Sequence, residues 1–132
     1  LTKPLGIGIL TTAAKADLVD DAVLNRIYAQ MTYLNKTAAH IMRKYEVHSC
    51  TDVTGFSLMG HSFEMAQGSD CTIYFDVANI PYHKEAFEFA EMGFIPAGAY
   101  RNRQFAGNGV YAPESISRAM QDIMYDPQTS GL

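Results

Sequence analysis

Val23, Ile27, Met31 and Leu34 recur at intervals of four, four and three, which is one face of a helix. Asp20 or Asp21 stands where a cap for that helix belongs. A break at Asn35 precedes a second helix over residues 36–44, with Ala38, Ile41 and Met42 apolar and His40 and Arg43 on the wetter side. Leu58, Met59, Phe63, Met65 and Ala66 predict a third, ending at Gly68 as C-cap. A fourth covers residues 83–92, with Pro81 in its first turn and Gly93 as its stop. Pro113 at N1 and Glu114 open a last helix with Ile116, Ala119, Met120 and Ile123 inward. Asp126-Pro127 ends it, because the residue before proline is pushed out of the α region.

Between these lie patterns of period two. Residues 5–10 alternate apolar side chains with glycine and predict a strand packed closely under a helix. A phosphate-approach loop is the alternative reading. Residues 45–50 alternate weakly and predict a short strand. Cys71-Thr72-Ile73-Tyr74-Phe75-Asp76-Val77 is β-branched and aromatic and is the clearest strand of the chain. Residues 96–109 read as loop. The class is therefore α/β (α+β), a mixed sheet covered by helices, with no order of strands implied. No repeat or linker divides residues 1–132, so one domain is expected.

Composition narrows the function. Hydrophobic residues make up 48% of the 132 and charged residues 18%, which excludes a disordered chain. Ten Lys+Arg against fourteen Asp+Glu give a net charge of −4, without the basic footprint of a nucleic-acid binder. No apolar run approaches the roughly 20 residues of a membrane span. Cys50 and Cys71 are read as reduced thiols of a cytoplasmic protein, Cys50 as a buried one.

The segment Cys50-Thr51-Asp52-Val53-Thr54-Gly55-Phe56 carries the most chemistry. A carboxylate at a small-residue turn that opens a helix lies beside backbone N–H groups that favour phosphate. Carboxylate and phosphate repel unless a cation bridges them, and Mg²⁺ is the usual bridge. Asp52 is thus a Mg²⁺ ligand beside a nucleotide or simply a helix cap. His61 follows in the same helix, and Arg101 and Arg103 flank Asn102 in a glycine-containing stretch. Residues 126–131 form a second polar turn.

At these positions the sequence resembles the selenophosphate synthetases (selenide, water dikinases). The matching motifs are Thr2-Lys3-Pro4-Leu5-Gly6 with Gly8-Ile9-Leu10, and Cys50-Thr51-Asp52-Val53-Thr54-Gly55-Phe56 with Gly60-His61. Ile95-Pro96-Ala97-Gly98-Ala99-Tyr100-Arg101-Asn102 and Asp126-Pro127-Gln128-Thr129-Ser130-Gly131 complete the set. The Asp-x-Thr-Gly element is shared with the wider superfamily that includes aminoimidazole ribonucleotide synthetase and thiamine monophosphate kinase. The resemblance implies a C-terminal domain of the aminoimidazole ribonucleotide synthetase-like fold, from a two-domain cytoplasmic enzyme that is usually a homodimer. Such an enzyme turns ATP, selenide and water into selenophosphate, AMP and phosphate. It further implies Asp52 as a Mg²⁺ ligand and Thr51, Thr54 and Gly55 as nucleotide-binding residues. The nucleophile and an essential Lys would lie in the N-terminal domain, so no catalytic residue is expected here and the isolated chain should be inactive. A non-catalytic interaction module, or a relative acting on another phosphate acceptor, are the alternatives.

Two residues depart from the family pattern. Ser57 stands where Gly is usual and should fit a helix; Ile7 stands where Thr is frequent and removes a hydroxyl. Family chains continue beyond the Ser-Gly turn, so the domain reads as truncated. An open sheet edge would follow, to be covered by dimerisation or swapping.

Overall fold

Asp20 does what its position predicts: its carboxylate accepts from the Val23 N–H at 2.8 Å, and a helix runs on over Asp21–Thr32. The computed structural model describes residues 3–129 and 131. Among the described residues the helices are α1 (Ile7–Ala14), α2 (Asp21–Thr32), α3 (Lys36–Met42), α4 (Ser57–Gly68), α5 (Lys84–Glu91), α6 (Ala97–Ala106) and α7 (Arg118–Met124). Short 3-10 turns occupy Val77–Asn79 and Gly107–Gly109. α5 packs on α1 and α7, and α4 packs on α6 and α7. Leu5, Ile7, Ile9, Leu10, Ile27 and Ile123 are fully buried at the centre. The stop after α5 follows the sequence: the Phe94 N–H donates to Phe89 O at 2.9 Å, and the two rings meet edge to face.

The expected mixed sheet is absent among the described residues. One parallel bridge, Leu5 with Tyr82, is the only strand-type pairing there. Residues 5–10 are not a strand but the approach to α1 and its first turn. Gly6 caps α1 at φ 113, a conformation open to glycine. Ile7, Gly8, Ile9 and Leu10 are all buried, so no solvent face imposes the helical period on this stretch. Residues 45–50 are exposed and irregular, with nothing to bury an alternating face against.

Residues 71–77 keep the predicted period of two without the predicted partner. Ile73, Phe75 and Val77 are half-buried while Thr72, Tyr74 and Asp76 are exposed. The inward set lines an open apolar cavity of about 750 Å³ together with Met59 and Phe63 of α4 and Met124 of α7.

Three helix boundaries also differ. The stretch read as loop over residues 96–109 contains α6, begun by Pro96 as N-cap. Its Ala99 and Ala106 are buried, so small residues serve close packing there. Pro113 does not start α7; Ser117 does, its hydroxyl accepting from the Met120 N–H. Pro81 precedes α5, whose N-cap is His83. Both departures from the family pattern prove to be buried. Ile7 points into the core, and Ser57, expected to fit a helix, is held at φ 70.

A methyl group on Gly8 would lie 2.5 Å from Asp126 Oδ1 and 2.6 Å from Pro127 O, whereas nothing lies within 4 Å of one on Gly68. Gly8→Ala is expected to cost about 1–3 kcal/mol in urea unfolding, and Gly68→Ala to leave the midpoint unchanged or raised. Ser57→Gly should raise the melting temperature, because relief of about 1 kcal/mol of left-handed strain exceeds a 3.4 Å bond from the Gly60 N–H to Ser57 Oγ.

Candidate functional site

The motif segments, scattered along the sequence, converge on the N-terminus of α1. The Asp126 carboxylate is fully buried there and accepts from the Gly8 N–H at 2.8 Å. Gln128 Oε1 accepts from the Ile7 N–H at 3.4 Å, while its Nε2 donates to Asp126 O at 2.7 Å and Oδ2 at 3.0 Å. Donors that a helix leaves unsatisfied in its first turn are thus met from the far end of the chain.

The same turn grips the Asp52 segment. The Gln128 N–H donates to Thr54 O at 3.0 Å, and the Ser57 N–H reaches the same carbonyl at 3.0 Å. Asn102 of α6 is buried and donates from Nδ2 to Gly55 O at 2.9 Å and Tyr125 O at 3.1 Å. One amide therefore ties α6 to both polar turns. Gly98 lets Pro127 approach: a Cβ on it would lie 3.1 Å from Pro127 Cγ. Thr2 and Ser130, also singled out in the sequence, lie outside the described residues.

Held by this framework, Asp52 is exposed and its carboxylate makes no hydrogen bond among the described residues. It does not cap α4. That helix begins five residues later, with Phe56 as N-cap and no side-chain cap bond. The cap reading of Asp52 is overturned, and a carboxylate free to bind remains. Thr54 Oγ1 lies 3.1 Å from His61 Nε2, and His61 Nδ1 lies 3.4 Å from Glu64 Oε2. Thr51 is half-buried and Gly55 exposed. Cys50, expected to be buried, is exposed and lines a shallow cavity of about 240 Å³ with Thr51, His61 and Glu64. Cys71 is exposed as well, and both thiols are free.

The paired arginines separate in role. Arg103 donates to Gln121 Oε1 at 3.0 Å and Asp122 Oδ1 at 2.8 Å, and its guanidinium lies 4.4 Å from the centre of the Tyr125 ring. That is structural work. Arg101 and Tyr100 are exposed on the same helix. Sequence reasoning read Asp126 and Gln128 as part of a polar turn that could supply hydroxyls and backbone N–H groups to a site, missing the role of their side chains, and it took Asn35 only as a break. The buried position of an Asp-Pro-Gln element cannot be inferred from spacing, although its polarity after an apolar helix is visible.

Among the described residues no group of three His, Cys, Asp or Glu gathers to enclose a metal. A single exposed carboxylate, with the Asn35 amide and the Thr54 side chain nearby, fits a hydrated Mg²⁺ shared with phosphates, not a closed structural site.

The family model for the AIR synthase related protein, C-terminal domain, matches residues 1–114. The chain belongs to that family. It is 50% identical over 131 residues to the selenide, water dikinase of Treponema denticola, covering 99% of this chain and 37% of that protein. The corresponding enzymes of Pelobacter propionicus and Clostridium botulinum are 47% and 48% identical, with 38% of each covered. This AIR synthase related chain thus spans less than two-fifths of the length of these relatives. No helix among its described residues is long and apolar enough to cross a membrane.

Burial pushes the Asp126 carboxyl up to about 8, against the opposing pull of the Gly8 and Ile9 N–H groups and the Gln128 amide. The folded chain therefore holds a proton that the unfolded chain has released above its ordinary value of 3.8. This contribution to stability is complete below that value and is lost as pH rises to about 8. Asp126→Asn should remove the slope. Relative to wild type, its urea midpoint is expected to improve between pH 5 and pH 8, by at most about 1.4 kcal/mol per pH unit. A constant difference across that range would count against the assignment.

Proposed function

We propose that this chain is the C-terminal domain of a selenophosphate synthetase, contributing the Asp52 carboxylate to a Mg²⁺ that neutralises ATP phosphates. The observation that carries the reading is Asp52 itself. It lies in the motif shared with the family, exposed and without a hydrogen bond to its carboxylate among the described residues, on a segment pinned at Thr54 and Gly55 by buried polar groups. The identity of 42–50% to proteins named selenide, water dikinase supports the choice within the family. The overall reaction would be ATP, selenide and water to selenophosphate, AMP and phosphate, in a cytoplasmic homodimer.

When bound, Mg²⁺ supplies charge neutralisation and fixes the orientation of the phosphate oxygens. This chain's residues do the positioning. Asp52 presents its carboxylate oxygens from the segment that the Gln128–Thr54 hydrogen bond holds. Thr51, Thr54 and the Gly55 backbone line the same segment as nucleotide-binding groups. Arg101 offers a guanidinium to phosphate from the exposed face of α6. His61 engages the Thr54 hydroxyl and Glu64 engages His61, so the hydroxyl keeps one orientation. None of these groups is a nucleophile for the reaction, and the isolated chain is expected to produce no AMP from ATP and selenide.

The test is a chimaera in which residues 1–132 replace the matching stretch of the Treponema denticola enzyme. Selenide-dependent AMP formation is expected in the folded chimaera. Asp52→Asn should lower it at least about tenfold with an unchanged melting temperature, since the exposed carboxylate makes no bond within the described chain. Full turnover in that variant would remove Asp52 from the metal site, and a folded but inactive parent chimaera would overturn the assignment.

A further inference from the structure

A buried oxygen without a partner lies in the same neighbourhood. Asn35 is the N-cap residue of α3, a position where an Asn side chain ordinarily accepts from first-turn N–H groups. Here it makes no cap bond. Its Oδ1 is closed off from solvent and has no hydrogen-bond partner among the described residues. The other end of the amide faces the site. A Cβ built on Gly131 would lie 3.5 Å from Asn35 Nδ2, 3.6 Å from Asp52 Oδ2 and 3.6 Å from Thr54 Cγ2. Asn35, Asp52 and Thr54 therefore wall one small space, which Gly131 keeps open by having no side chain. The turn carrying Asn35 is itself clamped, since Lys3 Nζ donates to Tyr33 O at 2.7 Å.

We propose that Asn35 is a second oxygen donor to the hard divalent cation held at Asp52, an inference that rests on the Mg²⁺ reading of that carboxylate. A half-turn of the terminal amide exchanges Oδ1 and Nδ2 with almost no change of shape. It delivers the unpartnered oxygen to the space beside Asp52 and withdraws N–H donors that a cation repels. Amide carbonyl and carboxylate are ligand types that Mg²⁺ and Mn²⁺ accept, with waters and phosphate oxygens completing the shell. The flip places the unpartnered oxygen against a ligand that can be its partner, on a side chain that makes no cap bond to α3.

The test is a Mn²⁺ titration of the ¹⁵N-labelled 132-residue chain, following paramagnetic broadening by NMR, with thermal melts of each variant in the absence of metal. Broadening is expected at the Asp52 amide and at the Asn35 side-chain NH₂ over the same Mn²⁺ range. Asn35→Leu should raise the midpoint at Asp52 about tenfold, and Asn35→Asp, nearly identical in shape, should lower it. Broadening at Asp52 with the same midpoint in both variants overturns the role of Asn35 and leaves the Asp52 site standing. No broadening at Asp52 in the wild type overturns both. If Asn35→Leu melts out, Asn35→Asp decides alone: an unchanged midpoint refutes the proposal.

Discussion

The buried Asp126 carboxylate at the N-terminus of α1 is the contact on which the rest depends. It joins residues 118 positions apart in sequence and closes the chain on itself. The segment that carries Asp52 is referred to it through one intermediate, Gln128. Gln128 is held by Asp126 and holds Thr54; Thr54 heads the segment that carries Asp52 two residues earlier. An eight-residue helix that includes a glycine is too short to persist alone, so its order derives from these tertiary partners. Full burial makes the arrangement unforgiving. A side chain that lost one partner would leave another polar group unsatisfied in a dry environment.

The framework divides labour sharply between residues that hold and residues that are free to bind. Asn102, Gln128, Arg103 and Asp126 resemble ligand-binding residues by type, yet each is held by intramolecular bonds, Asp126 through Oδ2 while its buried Oδ1 has no partner among the described residues. Among the described residues, the Asp52 carboxylate, the Arg101 guanidinium and the Asn35 amide oxygen make no such bond. Positioning of this kind keeps a carboxylate in place without immobilising it through bonds that a cation would have to break.

The amphipathic helices were legible because solvent marks their period. Val23 and Ile27 are buried and Leu34 is exposed only because α2 ends before it. α1 was misread for the converse reason, since a stretch buried on every side displays no period. α6 was hidden by its small residues, which look like loop until Ala99 and Ala106 are seen to be buried in a helix that packs on α4. At the candidate site the motif singles out Asp52, and its freedom from a cap role could not be read there, because that depends on α4 starting at Ser57. Cys50 shows the limit of residue-type reasoning: a thiol usually buried is here at the surface.

The solitary extended segment has a consequence for handling the chain. Cys71-Thr72-Ile73-Tyr74-Phe75 is a run of five residues without charge, proline or glycine, already extended and with Tyr74 90% exposed. That composition is the signature of segments that stack into cross-β assemblies. Asp70 on one side and Asp76 on the other bracket it with negative charge. They act as gatekeepers, making in-register stacking of many copies repulsive along both borders. High salt, by screening that repulsion, is expected to make the most strand-like stretch of the molecule its first point of aggregation.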